Sequence, residues 1–327
     1  NFIDNIKIYK TITIENGVAL ELNKWNHTAM ITDSPNAHGD IFIPRSIDYE
    51  SQNYVITGFC NSNFHHCNDI KSIRFSEDSA IKVFNKKFID SCSRLLSNIP
   101  PSVEKIEFDV DYLTYNFKHF DFYSSNENFT FLDEDKKLIA SRYAQNHNGL
   151  LCYSLSRNDD FNGPFDNLLL AKNDIENAII PSTIKNIDYF CFINCKKIKK
   201  IEFEPNSSLE TICTNAFFYS TIEEIELPSK VHRLMDCWCA GTRNLKRLSV
   251  SPENNFLRMI DDKILVGKKN ADDQVFNTLL FANRNIKSVV IPSSIEIISM
   301  KSFQFCRNLR KVEFEKNSKL KEIQFEA

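Results

Sequence analysis

The sequence predicts a strand-rich solenoid in which about ten coils of 23–24 residues stack, their strands forming a parallel sheet with little helix. Two observations support this. Apolar residues recur at the same offsets in distant segments, and the strand-like ends of those segments follow at near-constant intervals. One coil of this length cannot bury its apolar side alone, whereas stacked coils place equal positions on one another and build apolar columns.

The offsets are clearest in the segment that starts at Ile180. Apolar residues follow at 4, 7, 12, 15, 18, 21 and 23 positions, namely Ile184, Ile187, Phe192, Cys195, Ile198, Ile201 and Phe203. From Ile291 the same offsets reach Ile295, Ile298, Phe303, Cys306, Leu309, Val312 and Phe314. A proline follows both starting residues and ends the strand pairing, because proline has no N–H to donate.

The spacing of the predicted strands sets the fold class. They end at Ile43, Phe75, Ile99, Phe122, Ile180, Phe203, Leu227, Val250, Ile291 and Phe314. Most successive ends lie 23 or 24 residues apart, which is within the range of leucine-rich repeats. We therefore expect a leucine-rich-repeat solenoid of the α/β class, forming a single array over residues 1–327.

Longer intervals of 58 and 41 residues indicate two inserts, at about 123–175 and 251–285. Each runs from one strand-like segment through an acidic turn to a second, and then returns to an Ile-Pro segment, which is typical of a β-hairpin. Residues 8–40 resemble a third hairpin of this kind.

Two segments carry a family resemblance: IPSTIKNIDYFCFINCKKIKKIEF from Ile180 and IPSSIEIISMKSFQFCRNLRKVEF from Ile291. They resemble the BspA-like leucine-rich repeats found on bacterial and protozoan cell surfaces, and the resemblance covers about residues 41–327. The sequence departs from the family at the usual Ile-Gly step, which reads NID and IIS here. The resemblance implies a surface or secreted adhesion-type protein and supplies no catalytic residues.

Composition narrows the function classes. The net charge is -3, which gives no reason to expect nucleic acid or an anionic membrane as the main partner. Only 7 glycines are present, which disfavours folds built on glycine-rich phosphate loops. No apolar run reaches the roughly 18 residues of a membrane span. The first residues lack the pattern of a signal peptide, and we expect the chain to be a fragment of a longer protein.

Ten cysteines raise the question of metal sites and disulfides. Cys67, Cys195 and Cys306 occupy one offset of the repeat, so we expect small buried core residues there. The close pairs Cys191/Cys195 and Cys237/Cys239 have no second pair at zinc-finger spacing. The pairing and redox state stay open, since disulfides persist in an extracellular protein.

A cluster of Cys60, His65, His66 and Cys67 could in principle bind a metal. Phe64 and Cys67, however, fit the repeat offsets. This favours a coil corner with exposed histidines over a metal site.

Asp109 and Asp111 form a D-x-D, which can hold a metal-bound nucleotide in other proteins, but here it falls in a polar loop. His119, next to the apolar Phe120, is expected to point outward. No nucleophile elbow or phosphate-binding motif occurs. We therefore expect no catalytic residues, no metal and no cofactor.

Three N-x-S/T sequons, at Asn26, Asn128 and Asn206, mark possible N-glycosylation sites in predicted loops or insert edges.

The best candidate binding surface follows from strand alternation. Residues between the buried positions face away from the core. In three successive coils these are Lys200, Glu202, Glu224, Glu226, Arg247 and Ser249. They predict a mixed-charge stripe on the sheet, and extended sheet faces of repeat arrays commonly bind macromolecules.

The leading hypothesis is a non-catalytic interaction or adhesion module of a BspA-like surface antigen, located on the cell surface or secreted. It would bind a protein or extracellular-matrix ligand through the stripe or the hairpin inserts, with no nucleic-acid or membrane contact. The first alternative is a cytoplasmic leucine-rich-repeat scaffold. The second is an enzyme that uses the insert regions.

Overall fold

The computed structural model describes residues 8–60, 64, 69–85, 88, 92, 95, 98–107, 121–142, 164–270 and 272–327. The chain divides into two compact units, Asn1–Phe129 and Thr130–Ala327, which we treat separately.

The first unit contains nine described strands. They are β1 (Tyr9–Thr13), β2 (Ala19–Asn23), β3 (Thr28–Ile31), β4 (Gly39–Ile43), β5 (Ser46–Tyr49), β6 (Gln52–Phe59), β7 (Ile70–Phe75), β8 (Val83–Phe84) and β9 (Lys105–Ile106). A five-stranded sheet has the order β1-β2-β3-β6-β5, while β4 pairs with β7 and β8 with β9, both in parallel. One 3-10 turn, Glu15–Gly17, lies between β1 and β2.

The remaining strands continue the chain order. They are β10 (Phe129–Phe131), β11 (Leu138–Ser141), β12 (Asn167–Ala171), β13 (Asn177–Ile180), β14 (Asn186–Ile187), β15 (Lys200–Phe203), β16 (Thr211–Ile212), β17 (Glu224–Leu227), β18 (Arg233–Leu234), β19 (Arg247–Val250), β20 (Leu257–Ile260), β21 (Ile264–Gly267), β22 (Thr278–Ala282), β23 (Ser288–Ile291), β24 (Ile297–Ile298), β25 (Lys311–Phe314) and β26 (Glu322–Ile323).

Each coil of the second unit contributes one four-residue and one two-residue strand. The four-residue strands form the parallel ladder β13-β15-β17-β19, and the two-residue strands extend the ladder β12-β14-β16-β18. The fold is therefore the predicted strand-rich repeat solenoid. Eight of the predicted strand ends coincide with observed ends, and the other two, Ile99 and Phe122, form a parallel β-bridge.

The coil strands pair in parallel, as expected, but in more than one ladder within the described residues. The strands that carry the predicted strand ends form three separate ladders, β4-β7, β13-β15-β17-β19 and β23-β25, besides the bridge between Ile99 and Phe122. The break after β19 has a visible cause. The backbone N–H of Leu248 donates to Asn283 Oδ1 at 3.2 Å, so a side chain occupies the place of a further strand.

The inserts also differ from simple hairpins. Strands β20, β21 and β22 form a three-stranded antiparallel meander, and β22 then pairs in parallel with β24. Strands β11 and β12 repeat this arrangement, with β12 pairing in parallel with β14. The third segment follows the same rule, because β3 pairs antiparallel with β2 and parallel with β6. Each meander thus returns the chain to a parallel ladder.

Stacking buries the predicted columns. Ile184, Ile187, Phe192, Cys195 and Ile198 are all 0% exposed. Phe192 stacks on Phe217 of the next coil with ring centroids 5.2 Å apart. The prediction of a core cysteine at offset 15 is confirmed for Cys195, whose thiol lies 3.8 Å from the carbonyl oxygen of Lys172.

The last described coil departs from this pattern. Val312 and Phe314, predicted as column residues, are 45% and 46% exposed. Strand β25 pairs with β23 alone within the described part of the chain, so no further coil covers these side chains there.

Candidate interaction surface

The six stripe residues lie on the outward face of β15, β17 and β19. Glu224 pairs in register with Lys200 on one side and Arg247 on the other, and Glu226 pairs with Ser249. The intervening Ile201, Ile225 and Leu248 are buried, as the two-residue alternation requires. The structure therefore brings the six residues onto one face.

The charges of this stripe are largely satisfied within it. Lys200 Nζ lies 2.5 Å from Glu202 Oε1 and 3.9 Å from Glu224 Oε1, while Arg247 Nε donates to Glu224 Oε2 at 2.8 Å. The hydrogen bond to Glu202 raises the pKa of the exposed Lys200 ammonium. Exposed pairs of this kind contribute little to stability. Their main effect is to fix a nearly neutral, polar surface.

An exposed apolar residue, which sequence reasoning missed, lies beside the stripe. Ile179 of β13 is 58% exposed and is the register partner of Glu202. The arrangement recurs 111 residues later, where Val290 is 46% exposed and is the register partner of Glu313. Lys311 Nζ lies 2.9 Å from Glu313 Oε1, as Lys200 lies beside Glu202.

A sequence signal for these residues exists. The residue before the Ile-Pro or Leu-Pro step is apolar where a coil follows an insert, and polar elsewhere. It is Phe42, Ile179 and Val290 after inserts, and Asn98 and Glu226 in the other coils. Phe42 is 55% exposed in the first unit. The alternation rule alone identifies these residues as outward-facing.

A second exposed anchor, also missed, is Trp25 in the β2–β3 turn, which is 83% exposed. Its backbone N–H donates to Asn23 Oδ1 at 2.9 Å. Asn26 Oδ1 in turn accepts from the backbone N–H of Thr28 at 3.2 Å and from its hydroxyl at 2.7 Å. Two side-chain–stabilised turns therefore define the backbone on either side of Trp25.

The three sequons are not equivalent. Asn26 and Asn206 are exposed, and Asn206 has a positive φ of 60° in its turn. Asn128 is half-buried, and its Nδ2 donates to the carbonyl oxygen of Val103 at 3.2 Å. The amide nitrogen that would carry a glycan is thus engaged at Asn128.

The candidate metal positions lie largely outside the described residues: His65, His66, Cys67, Asp109, Asp111 and His119. Cys60 is half-buried, with its thiol 4.0 Å from Glu21 Oε1. Across the described ranges, no three His, Cys, Asp or Glu side chains are grouped so that they could hold a metal ion. No described helix is long and apolar enough to cross a membrane.

Six of the described cysteines, Cys60, Cys191, Cys195, Cys237, Cys239 and Cys306, are free thiols. Burial raises the pKa of Cys191, Cys195 and Cys239, the last to about 12. These thiols are neutral at ordinary pH and pack as small apolar groups.

The sequence and fold place the chain in a known class. Residues 166–269 and 274–327 match the model of the BspA type leucine-rich repeat region, in six copies. This part of the chain therefore carries BspA-type leucine-rich repeats, a repeat family that is generally non-catalytic. No match was found among curated protein sequences.

The similarity to solved structures concerns the fold alone. A leucine-rich cell surface protein from Faecalibacterium prausnitzii shares 14% identity at a TM-score of 0.50, over 94% of this chain and 76% of that one. The pneumococcal vaccine antigen PcpA shares 18% identity at a TM-score of 0.43, over 97% of this chain. The aligned part spans 64% of the length of PcpA. A leucine-rich-repeat protein from Eubacterium ventriosum shares 16% identity at a TM-score of 0.49, over 93% and 84%.

Proposed function

We propose that the chain is a non-catalytic interaction module of a BspA-like surface antigen, which binds a protein partner through the outward face of β13, β15, β17 and β19. One observation carries the proposal: the exposed Ile179 lies next to a polar stripe whose charges are already paired. An apolar anchor surrounded by polar groups is typical of protein interfaces.

The paired charges support this choice of face. Ion pairs already hold four side chains of the stripe in place: Lys200, Glu202, Glu224 and Arg247. These side chains therefore lose little further conformational freedom when a partner binds. Glu226 and Ser249, at the far side of the stripe, form no ion pair among the described residues and are available to a partner. The meanders and the Trp25 turn are the other candidate contacts.

A surface location is supported by the similarity to bacterial cell-surface proteins. The alternative, a cytoplasmic scaffold, is favoured by the free thiols of Cys60, Cys191, Cys195, Cys237, Cys239 and Cys306, because such thiols persist in reducing compartments. Labelling of intact cells with a membrane-impermeant reagent separates the two. Labelling of the chain supports the surface, and protection until lysis supports the cytoplasm.

The binding face is tested by a charge swap. The variant Lys200→Glu, Glu202→Lys, Glu224→Lys, Glu226→Lys and Arg247→Glu inverts the stripe while keeping each observed ion pair complementary. We expect the purified variant to fold and to lose the proteins that the wild-type chain captures from extracellular matrix or host-cell extract. The measurement is a quantitative pull-down.

A matched control swaps an exposed pair away from the stripe, Glu296→Lys with Lys321→Glu, whose side chains lie 2.9 Å apart. It should capture the same proteins as wild type. Ile179→Thr tests the apolar anchor with little change in strand propensity. Unchanged capture by both the charge-swap variant and Ile179→Thr would show that this face is not the binding site.

A further inference from the structure

One corner of the stacked coils in the second unit carries a column of cations. Lys196, Arg243 and Arg307 each lie 16 residues after the apolar residue of an Ile-Pro or Leu-Pro step, and all three are exposed. The coils of Arg243 and Arg307 touch at this corner, where the backbone N–H of Gly241 donates to Gln304 Oε1 at 3.0 Å. We call these three residues the cation column.

Aromatic rings lie beneath the cation column. Lys196 Nζ lies 5.3 Å from the centre of the Tyr219 ring and donates to the carbonyl oxygen of Tyr219 at 2.6 Å. The guanidinium carbons of Arg243 and Arg307 lie 5.1 and 6.0 Å from the centre of the Phe305 ring. Cation–π contacts of this kind hold the charges at the surface while leaving their N–H groups available to a ligand.

The cation column lacks the counter-charges that its neighbours have. Basic residues also occupy positions 19 and 20 of the same three coils. The coil between the first two places Glu223 and Glu224 beside those positions, whereas the uncharged Thr221 lies at the height of the column. Within the described residues, the ion pairs of these coils include neither Lys196 nor Arg243, and Arg307 has none either.

The absence of an acid here has an electrostatic consequence. The pKa of the Lys196 ammonium is lowered, first by partial burial and then by the positive charge of Arg243. The Cys195 thiol acts in the opposite direction, and no carboxylate of the described residues does. Parallel neighbours lie about 4.8 Å apart, so the coils of Lys196 and Arg243 are about 10 Å apart. An anion bound along the column would relieve this repulsion.

We propose that the cation column binds a sulfated polysaccharide, whose sulfate groups contact Lys196 at one end and Arg243 with Arg307 at the other. Such a polymer carries anionic groups at intervals along a linear chain, as the column carries cations along the stack. Guanidinium groups bind oxyanions with two parallel hydrogen bonds. The cations cover the Tyr219 and Phe305 rings, which disfavours the base stacking that single-stranded nucleic acid uses.

This surface goes beyond the proposed protein-binding face, because none of its residues belongs to the stripe. The test is calorimetric titration of the purified chain with heparin at physiological salt. We expect saturable binding by the wild type and at least tenfold weaker binding by the triple variant Lys196→Gln, Arg243→Gln and Arg307→Gln. The three side chains are exposed, so the fold should persist, and circular dichroism checks this.

A matched control removes three positive charges elsewhere, with Lys24→Gln, Lys82→Gln and Lys321→Gln. Each of these lysines forms an ion pair with a glutamate, at 3.7, 2.6 and 2.9 Å. This control should bind heparin as the wild type does, and an equal loss of affinity would overturn the proposal by showing that net charge alone governs binding.

Two further ligands test the chemistry of the partner. Desulfated heparin should bind the wild type at least tenfold more weakly than heparin, and so should single-stranded DNA of similar length. Three results would overturn the proposal: no binding of heparin by the wild type, equal affinity of the wild type and the triple variant, or binding of DNA as tight as that of heparin.

Discussion

At the scale of single residues, stability of the second unit depends on side chains that share a column. Phe192 is 0% exposed and stacks on Phe217, whereas Phe314, a column residue at offset 23 of the last described coil, is 46% exposed. The same residue type thus occupies a packed and an open position.

Phe192→Ala should therefore lower the free energy of unfolding by about 3–5 kcal/mol, because the cavity lies inside a stacked column. Phe314→Ala should have a much smaller effect. Urea unfolding of both variants measures the difference, and equal losses would show that Phe192 is not packed as described.

The buried thiols predict a pH dependence. Burial is the largest cause of the raised pKa of Cys195, followed by the charge of Asp174, above an unperturbed value of 9.0. A raised pKa in the folded state means that the unfolded chain loses this proton first. The contribution of the Cys195 thiol to the free energy of unfolding is constant below about pH 9. The free energy of unfolding falls as the pH rises above that value.

Urea midpoints measured from pH 8 to 11 test this sign. Other groups also titrate in this range, so the comparison is with Cys195→Ala, which should show a shallower loss of stability at high pH. An identical slope in both proteins would contradict a buried thiol at position 195.

At the scale of elements, a buried asparagine lies at the start of two of the three meanders. Asn254 Nδ2 donates to the carbonyl oxygens of Pro228 at 2.8 Å and Val231 at 2.9 Å. Asn126 makes the same two bonds in the first unit, to Pro100 at 2.9 Å and Val103 at 3.3 Å. The two asparagines lie 128 residues apart and perform equivalent roles.

Asn254→Ala should destabilise the chain by about 1–3 kcal/mol, since it leaves buried carbonyl and N–H groups without partners. Hydrogen exchange should accelerate in β20 and β21 in particular. Asn308→Ala, at an exposed turn without a positive φ, is the control. Unchanged exchange in β20 would mean that Asn254 does not anchor the meander.

At the scale of the whole molecule, the sequence predicts the coils well because their signal is repeated. The Ile-Pro step and the apolar offsets recur, so strand ends such as Ile180 and Ile291 could be located to the residue. The ladder of two-residue strands could not be located from the sequence, since a strand such as Asn186–Ile187 is too short to show alternation. The ion pairs of the stripe also depend on the register between strands, which only the structure supplies.

The parallel register of the stacked coils is the central structural claim, and engineered cysteines test this register directly. Glu226 and Ser249 are register partners, whereas Glu224 and Ser249 are offset by two residues. Oxidation of Glu226→Cys with Ser249→Cys should give a disulfide identified by peptide mapping, because parallel neighbours lie about 4.8 Å apart, within the reach of such a bond. Preferential cross-linking of Glu224→Cys with Ser249→Cys, or none in either pair, would contradict the stack.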